Sequence, residues 1–127
     1  KLPRIDCAQS EASAAITQTV HRIRHSHKPN PTDWTQISVD TVKATTLADS
    51  ISVDLPRDGM AAVRAVIESG GEAVTVSDDE ILAAIPEIAR LAGVFSEPAG
   101  ATPWACVRKM AKEKQKLNSK YTKKLIY

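Results

Sequence analysis

Glu97 is the acid whose setting in this sequence most invites chemistry. It lies in Val94-Phe95-Ser96-Glu97-Pro98-Ala99-Gly100-Ala101, where two residues suited to a buried strand precede the turn punctuation of Pro98 and Gly100. Thr102-Pro103 then reads as a helix N-cap followed by a proline at the first helical position. A carboxylate at the carboxyl end of a strand in an α/β sheet faces the crevice where ligands bind. The plainer alternative is an acid solvated at a turn, and the turn by itself favours that alternative. His21, His25 and His27 form a second cluster, with His21 and His25 one helical turn apart. No Cys or close acid completes a metal-ligand set there, so positive charge near a helix C-terminus is the expected role. Cys7 and Cys106 show no CxxC spacing and read as two reduced, buried thiols. There is no GxSxG, HExxH, P-loop or GxGxxG, and Gly70-Gly71 reads as a helix stop.

The elements that must position these residues alternate between strands and helices. Residues 4–8 read as a short strand, after which Ser10 is expected to cap a helix with Ala12, Ala15, Ile16, Thr19, Val20 and Ile23 on one face. Pro29 and Pro31 end it, and residues 28–45 form a long connection that Trp34 is expected to anchor. Ile51-Ser52-Val53 reads as a short strand or turn. Asp54 is expected to cap a helix with Pro56 in its first turn and an apolar row of Met60, Val63, Val66 and Ile67. Ala73-Val74-Thr75-Val76 is the clearest strand, and Ser77-Asp78-Asp79-Glu80 is a capping box opening the next helix. Ile81, Leu82, Ile85, Ile88, Ala89 and Ala92 make that helix's apolar face, Pro86 is expected to kink it and Gly93 to close it. The last helix is expected to start at Pro103 and run almost to the end. The whole reads as an α/β domain with an open, mainly parallel sheet of three or four strands, near residues 4–8, 50–53, 73–76 and 93–97, flanked by helices.

The chain has 127 residues, 43% of them hydrophobic and 25% charged, which is the composition of one soluble globular domain. Its apolar runs are too short to cross a bilayer, and Lys1-Leu2-Pro3-Arg4 does not read as a signal peptide. With no initiator Met, the expectation is a processed or excised piece, or one whose early residues were left out, and the two reduced thiols imply a cytoplasmic chain that is not membrane-bound. The net charge of +2 hides an asymmetry: residues 1–100 carry 9 basic and 14 acidic groups, residues 101–127 carry 8 basic and 1 acidic. A basic tail on an acidic body can mean nucleic acid, but a lysine-dominated stretch with few aromatics reads better as a solvated helix face.

Four runs, in order, resemble threonine synthase and more broadly the fold-type II pyridoxal-phosphate enzymes. They are Ala44-Thr45-Thr46-Leu47-Ala48-Asp49-Ser50-Ile51, Glu68-Ser69-Gly70-Gly71, Val76-Ser77-Asp78-Asp79-Glu80-Ile81 and Phe95-Ser96-Glu97-Pro98-Ala99-Gly100-Ala101. The similarity covers roughly residues 2–113 and implies the later part of the large catalytic domain. Residues 1–114 are accordingly expected to be a partial fold-type II domain, and residues 115–127 a basic helical tail. The resemblance implies a pocket wall: Ala48 and Ser50 near the cofactor ring, Glu97, Ala99 and Gly100 beside it, and Gln9 at the first strand end toward substrate. The family's Schiff-base lysine and glycine-rich phosphate loop belong upstream of this region. Where it places a Ser or Thr facing the pyridine nitrogen, this chain reads Gln115-Lys116-Leu117-Asn118-Ser119. Metal-activated relatives have Glu and Asp where this chain has Gln9 and Ser13, so no metal is expected.

Three functions follow as expectations. The first is a partial threonine synthase, the parent converting O-phosphohomoserine to threonine with pyridoxal phosphate, and this chain inactive and without cofactor when alone. The second is a non-catalytic module on the same scaffold that associates with itself. The third and weakest is nucleic-acid binding through the tail. The expected partner is a second copy or the missing half of the enzyme, because a lone half-domain leaves sheet edges and apolar helix faces uncovered.

Overall fold

The computed structural model describes residues 3–26, 31 and 33–122, with side chains up to residue 115. The tail beyond 122 and His27 lie outside the described residues. Two strands, β1 (Cys7–Ser10) and β2 (Ala73–Val76), pair in parallel in the register Cys7↔Ala73 to Ser10↔Val76. Four helices surround them: α1 (Ala15–Arg24), α2 (Gly59–Ser69), α3 (Asp78–Ala92) and α4 (Pro98–Thr122).

Alternation along the strands divides the core in two. On one face Cys7 and Ala73 meet Val20, Ile23, Val63, Val66 and Ile67 from α1 and α2, with Trp34 and Ile37 of the long connection packed on the same cluster. Trp34 therefore does anchor that connection, and the Arg64 guanidinium lies 6.0 Å from its ring centroid. On the other face Ala8, Val74 and Val76 meet Ile81 and Ala84 of α3 and Ala101, Ala105 and Cys106 of α4. Ala101 and Ala105 are one turn apart and buried, so α4 approaches the sheet closely. Each fully buried Val or Ile here contributes about 1.5–3 kcal/mol.

Local chemistry sets most boundaries. The Ser77 hydroxyl accepts from the Glu80 N–H at 3.2 Å, and the Glu80 carboxylate accepts from the Ser77 N–H at 3.0 Å, completing the capping box of α3. Helix α2 stops at Gly70, whose φ of +69° is left-handed. Gly71 must be glycine because a Cβ there would lie 1.8 Å from the Ile5 carbonyl oxygen. Helix α3 is continuous through Pro86, which is exposed, and Leu82 faces solvent at 47% exposure rather than joining the apolar face.

Several expectations are corrected. The first strand runs over Cys7–Ser10 rather than residues 4–8, because Asp6 ties its carboxylate to the Glu72 N–H at 2.7 Å and pairs with Arg4. Ser10 caps a 3-10 turn (Glu11–Ser13) through the Ala12 N–H, and α1 starts only at Ala15. Residues 50–53 are not a strand: Asp49–Ile51 is a 3-10 turn. Residues 93–97 are not a strand either, since they are the whole short connection between α3 and α4. Val94 and Phe95 are 54% and 87% exposed as a result. Helix α4 starts at Pro98, not Pro103, with the Ala101 N–H on the Glu97 carbonyl as its first bond. The Thr102 hydroxyl donates to the Pro98 carbonyl instead of capping. Asp54 does not cap α2, and its carboxylate accepts from the Ala44 N–H at 2.8 Å.

Candidate functional site

Both parallel strands point their carboxyl ends the same way, so Ser10 and the start of α3 share one rim of the sheet. Residues 42–54 cross that rim. The segment is tied to itself by Val42 N–H on the Asp54 carbonyl and Ala44 N–H on the Asp54 carboxylate, and to its surroundings by Thr45 N–H on the Ala12 carbonyl and Val53 N–H on the Ser13 hydroxyl. Ser13 also lies 3.0 Å from the Ile51 carbonyl oxygen, to which its hydroxyl donates.

Asp78 makes the rim's densest polar contact. One oxygen of its carboxylate accepts from the Ser10 hydroxyl at 3.0 Å and the Thr46 hydroxyl at 2.5 Å. The other accepts from the Leu47 N–H at 3.0 Å. Desolvation raises the pKa of this carboxyl, but the hydrogen bonds from Thr46, Leu47 and Ser10 outweigh it and hold the value below the ordinary carboxylate range.

The residues that the resemblance singled out fall in three places. Ala48 is fully buried and shares its cluster with Ala99 and Ala101 of α4, so these two runs do converge. Ser50 is exposed on the adjoining 3-10 turn, which packs against α4. Glu97 and Gly100 are exposed at the start of α4, where a Cβ on Gly100 would meet the Ser96 hydroxyl at 2.6 Å. Gln9 lies apart: it is buried, and its side-chain oxygen accepts from the Thr17 N–H at 2.9 Å and the Thr17 hydroxyl at 3.0 Å, which fastens β1 to α1. Sequence reasoning missed Asp78, Ser10 and Thr46 as a linked set. Asp78 reads in the sequence as part of a helix cap and of one of the four family runs, and nothing local signals a bond to a residue 32 positions away.

Other reactive groups are accounted for by packing. His21 and His25 are exposed and edge to face at 6.5 Å, and His25 Nδ1 lies 2.8 Å from the His21 carbonyl. Among the described residues no group of three His, Cys, Asp or Glu is placed to hold a metal ion. Burial pushes the Cys106 thiol up to about 11 and raises Cys7 as well. The Lys109 ammonium donates to the Thr75 carbonyl at 2.8 Å and pairs with Glu11 at 3.4 Å.

A profile of the family described as pyridoxal-phosphate dependent enzyme matches residues 1–124. The chain belongs to that family. Within it the chain is similar to threonine synthases: 34% identical over 111 residues to that of Methanosarcina acetivorans, covering 86% of this chain and 24% of the relative. The Mycobacterium tuberculosis threonine synthase is 45% identical over 56 residues, 44% of this chain and 16% of the relative. Maize serine racemase shares the fold at a TM-score of 0.55 and 21% identity, over 81% of this chain and 27% of that one. The chain thus spans about a quarter or less of the length of the relatives it matches.

A pyridoxal-phosphate family chain is expected to offer an amine for the cofactor carbonyl and main-chain donors for its phosphate. The described residues do not fit a complete cofactor site. Lys109 is engaged with β2, and Gly71 admits the Ile5 backbone rather than a ligand. Ala48 is buried in the core cluster against which Ala99 packs.

Proposed function

We propose that this chain is a segment of a threonine synthase and does not form threonine by itself. The whole enzyme would convert O-phosphohomoserine and water to threonine and phosphate, with pyridoxal phosphate supplying the electron sink. The observation that carries this reading is the alignment with a threonine synthase over 86% of the chain. The packing of the Ala48 run and the Ala99 run into one core cluster supports it. In this reading Ala48, Ser50, Glu97, Ala99 and Gly100 form the cofactor wall, Gln9 borders the substrate side, and no metal takes part. Residues 1–114 are the partial catalytic domain and residues 115–127 its basic tail. The two free cysteines suit a cytoplasmic setting.

The partner in this proposal is the remainder of the catalytic domain. Cys7 donates its N–H to the Glu72 carbonyl, so the main chain of Ala8, one residue on, faces away from β2 and is open to a further parallel strand. That strand would widen the sheet to three or four. Leu91, Val94, Phe95 and Val107 expose an apolar face that a larger body would cover.

A chimera tests the function. Residues 1–114 replace the matching segment of the Methanosarcina acetivorans threonine synthase, and threonine formation from O-phosphohomoserine is expected to persist. A folded chimera that binds pyridoxal phosphate but forms no threonine overturns the reading. For the chain alone, borohydride trapping with pyridoxal phosphate and peptide mapping should give scattered, weak lysine labelling. One stoichiometrically labelled lysine would show that it holds the cofactor unaided. Sedimentation separates the partners: a dimer of the chain alone that Phe95→Asp abolishes assigns the exposed face to a second copy instead.

A further inference from the structure

We infer that Asp78 is a positioning residue that clasps residues 46–48 to the carboxyl ends of both strands. Its place at the start of α3 does not explain it, because Ser77 and Glu80 already complete the helix cap between them. The Asp78 side chain is therefore free to act across the fold. Its carboxylate takes three donors from two distant segments: Ser10 at the end of β1, and Thr46 and Leu47 in the crossing loop. An ionised carboxylate is acceptor-only, so all three donors are matched, and bonds to a charged acceptor are about twice as strong as neutral ones.

Thr46 passes the constraint on. While its hydroxyl donates to Asp78, its oxygen accepts from the Ala48 N–H at 3.2 Å. The chain is thereby turned at Leu47, and Ala48 is directed into the core, where it is fully buried against Ala101 and Ile81. The other end of the loop has an independent fastening, because Ser13 holds Ile51 and Val53 without involving Asp78. Loss of the clasp should free residues 46–49 and leave residues 51–53 in place. The importance of this for a cofactor wall rests on the function proposed above, whereas the clasp itself is tested with no cofactor present.

The test is site-resolved amide hydrogen exchange on the full chain. In Asp78→Ala, exchange at Leu47 and Ala48 is expected to rise by about tenfold or more, as loss of a charge-assisted bond implies. Val53 and the β2 amides should keep their native protection. Asp78→Asn keeps one carbonyl acceptor and should give an intermediate rise. Thr46→Val, which deletes the hydroxyl at constant shape, should deprotect Ala48 in the same way. If Asp78→Ala does not fold, the Asn and Val variants decide alone. Unchanged Leu47 and Ala48 protection in the folded variants overturns the inference. So does a uniform rise that includes Val53, because that reports general destabilisation instead of a local clasp.

Discussion

A single carboxylate shows how environment decides the behaviour of a residue. Three hydrogen bonds hold the Asp78 pKa below its ordinary value of 3.8, against the opposing effect of desolvation. A depressed folded-state value means that the ionised form stabilises the fold. That stabilisation is present above the unfolded-state pKa and is lost as pH falls through the folded one. Asp78→Asn should therefore flatten the acid limb of a stability–pH profile below about pH 4 and leave its slope near neutrality unchanged, as read by chemical denaturation. Cys106 is the opposite case, with burial pushing its thiol up to about 11. At pH 8 it is overwhelmingly protonated, and only the thiolate is nucleophilic. Ellman titration of the native chain should leave Cys106 unmodified until denaturant is added, and rapid native labelling of Cys106 would contradict its buried setting.

Among the elements, α3 is the one whose start was most clearly written in its own residues. Ser77→Ala removes one half of the capping box and should cost about 1 kcal/mol, measured by urea unfolding. Its apolar side is narrower than the sequence pattern, since Ile81 and Ala84 are buried and Leu82 is not. Ile81→Ala should cost about 2–5 kcal/mol, whereas Leu82→Ala should cost much less. Helices α3 and α4 are further joined where Glu87 accepts from the Trp104 indole N–H at 2.9 Å and pairs with Arg108 at 2.6 Å. The start of α4 was misplaced because two prolines five residues apart both suit a first helical position. Pro98 takes it, and Pro103 is accommodated inside the helix on an exposed side.

For the whole molecule, the main fact is a layered α/β fold around a sheet with two strands among the described residues. Parallel pairs are usually covered on both faces and continued at their edges. Here α1 and α2 cover one face and α3 and α4 the other, while the β1 edge has no strand beside it among the described residues. Among the described residues no helix is long and apolar enough to cross a membrane. Because the sheet closes nothing by itself, stability should depend heavily on the contact of Ile5, just before β1, with the Gly70-Gly71 turn. Gly71→Ala places a methyl 1.8 Å from the Ile5 carbonyl and should lower the thermal midpoint far more than Gly59→Ala, whose nearest neighbours are side-chain atoms at 3.1 to 3.3 Å. Equal shifts for the two variants, read by circular dichroism, would show that the Ile5 backbone moves aside freely.

What the sequence determined by itself was whatever neighbouring residues settle among themselves. The β2 strand, the Ser77–Glu80 box, the glycine stops and the apolar rows of α1 and α2 all depend on side chains within one or two turns of each other. Four short runs in order also sufficed to identify the family. The tertiary structure alone decided which apolar stretches became strands. Val94-Phe95 has strand-forming residues but sits in a short connection between two helices, and among the described residues no strand pairs with it. Ile51 has the right side chain too, but Ser13 takes its carbonyl and curls the chain into a turn. The same holds for the site. Gln9 is a polar residue at a strand end, yet Thr17 claims its side chain, and Asp78, written locally as part of a helix start, reaches Ser10 and Thr46 across the fold. A hydrogen bond needs its two groups within about 3 Å, and for groups 32 or 68 positions apart only the packing of the whole chain brings that about.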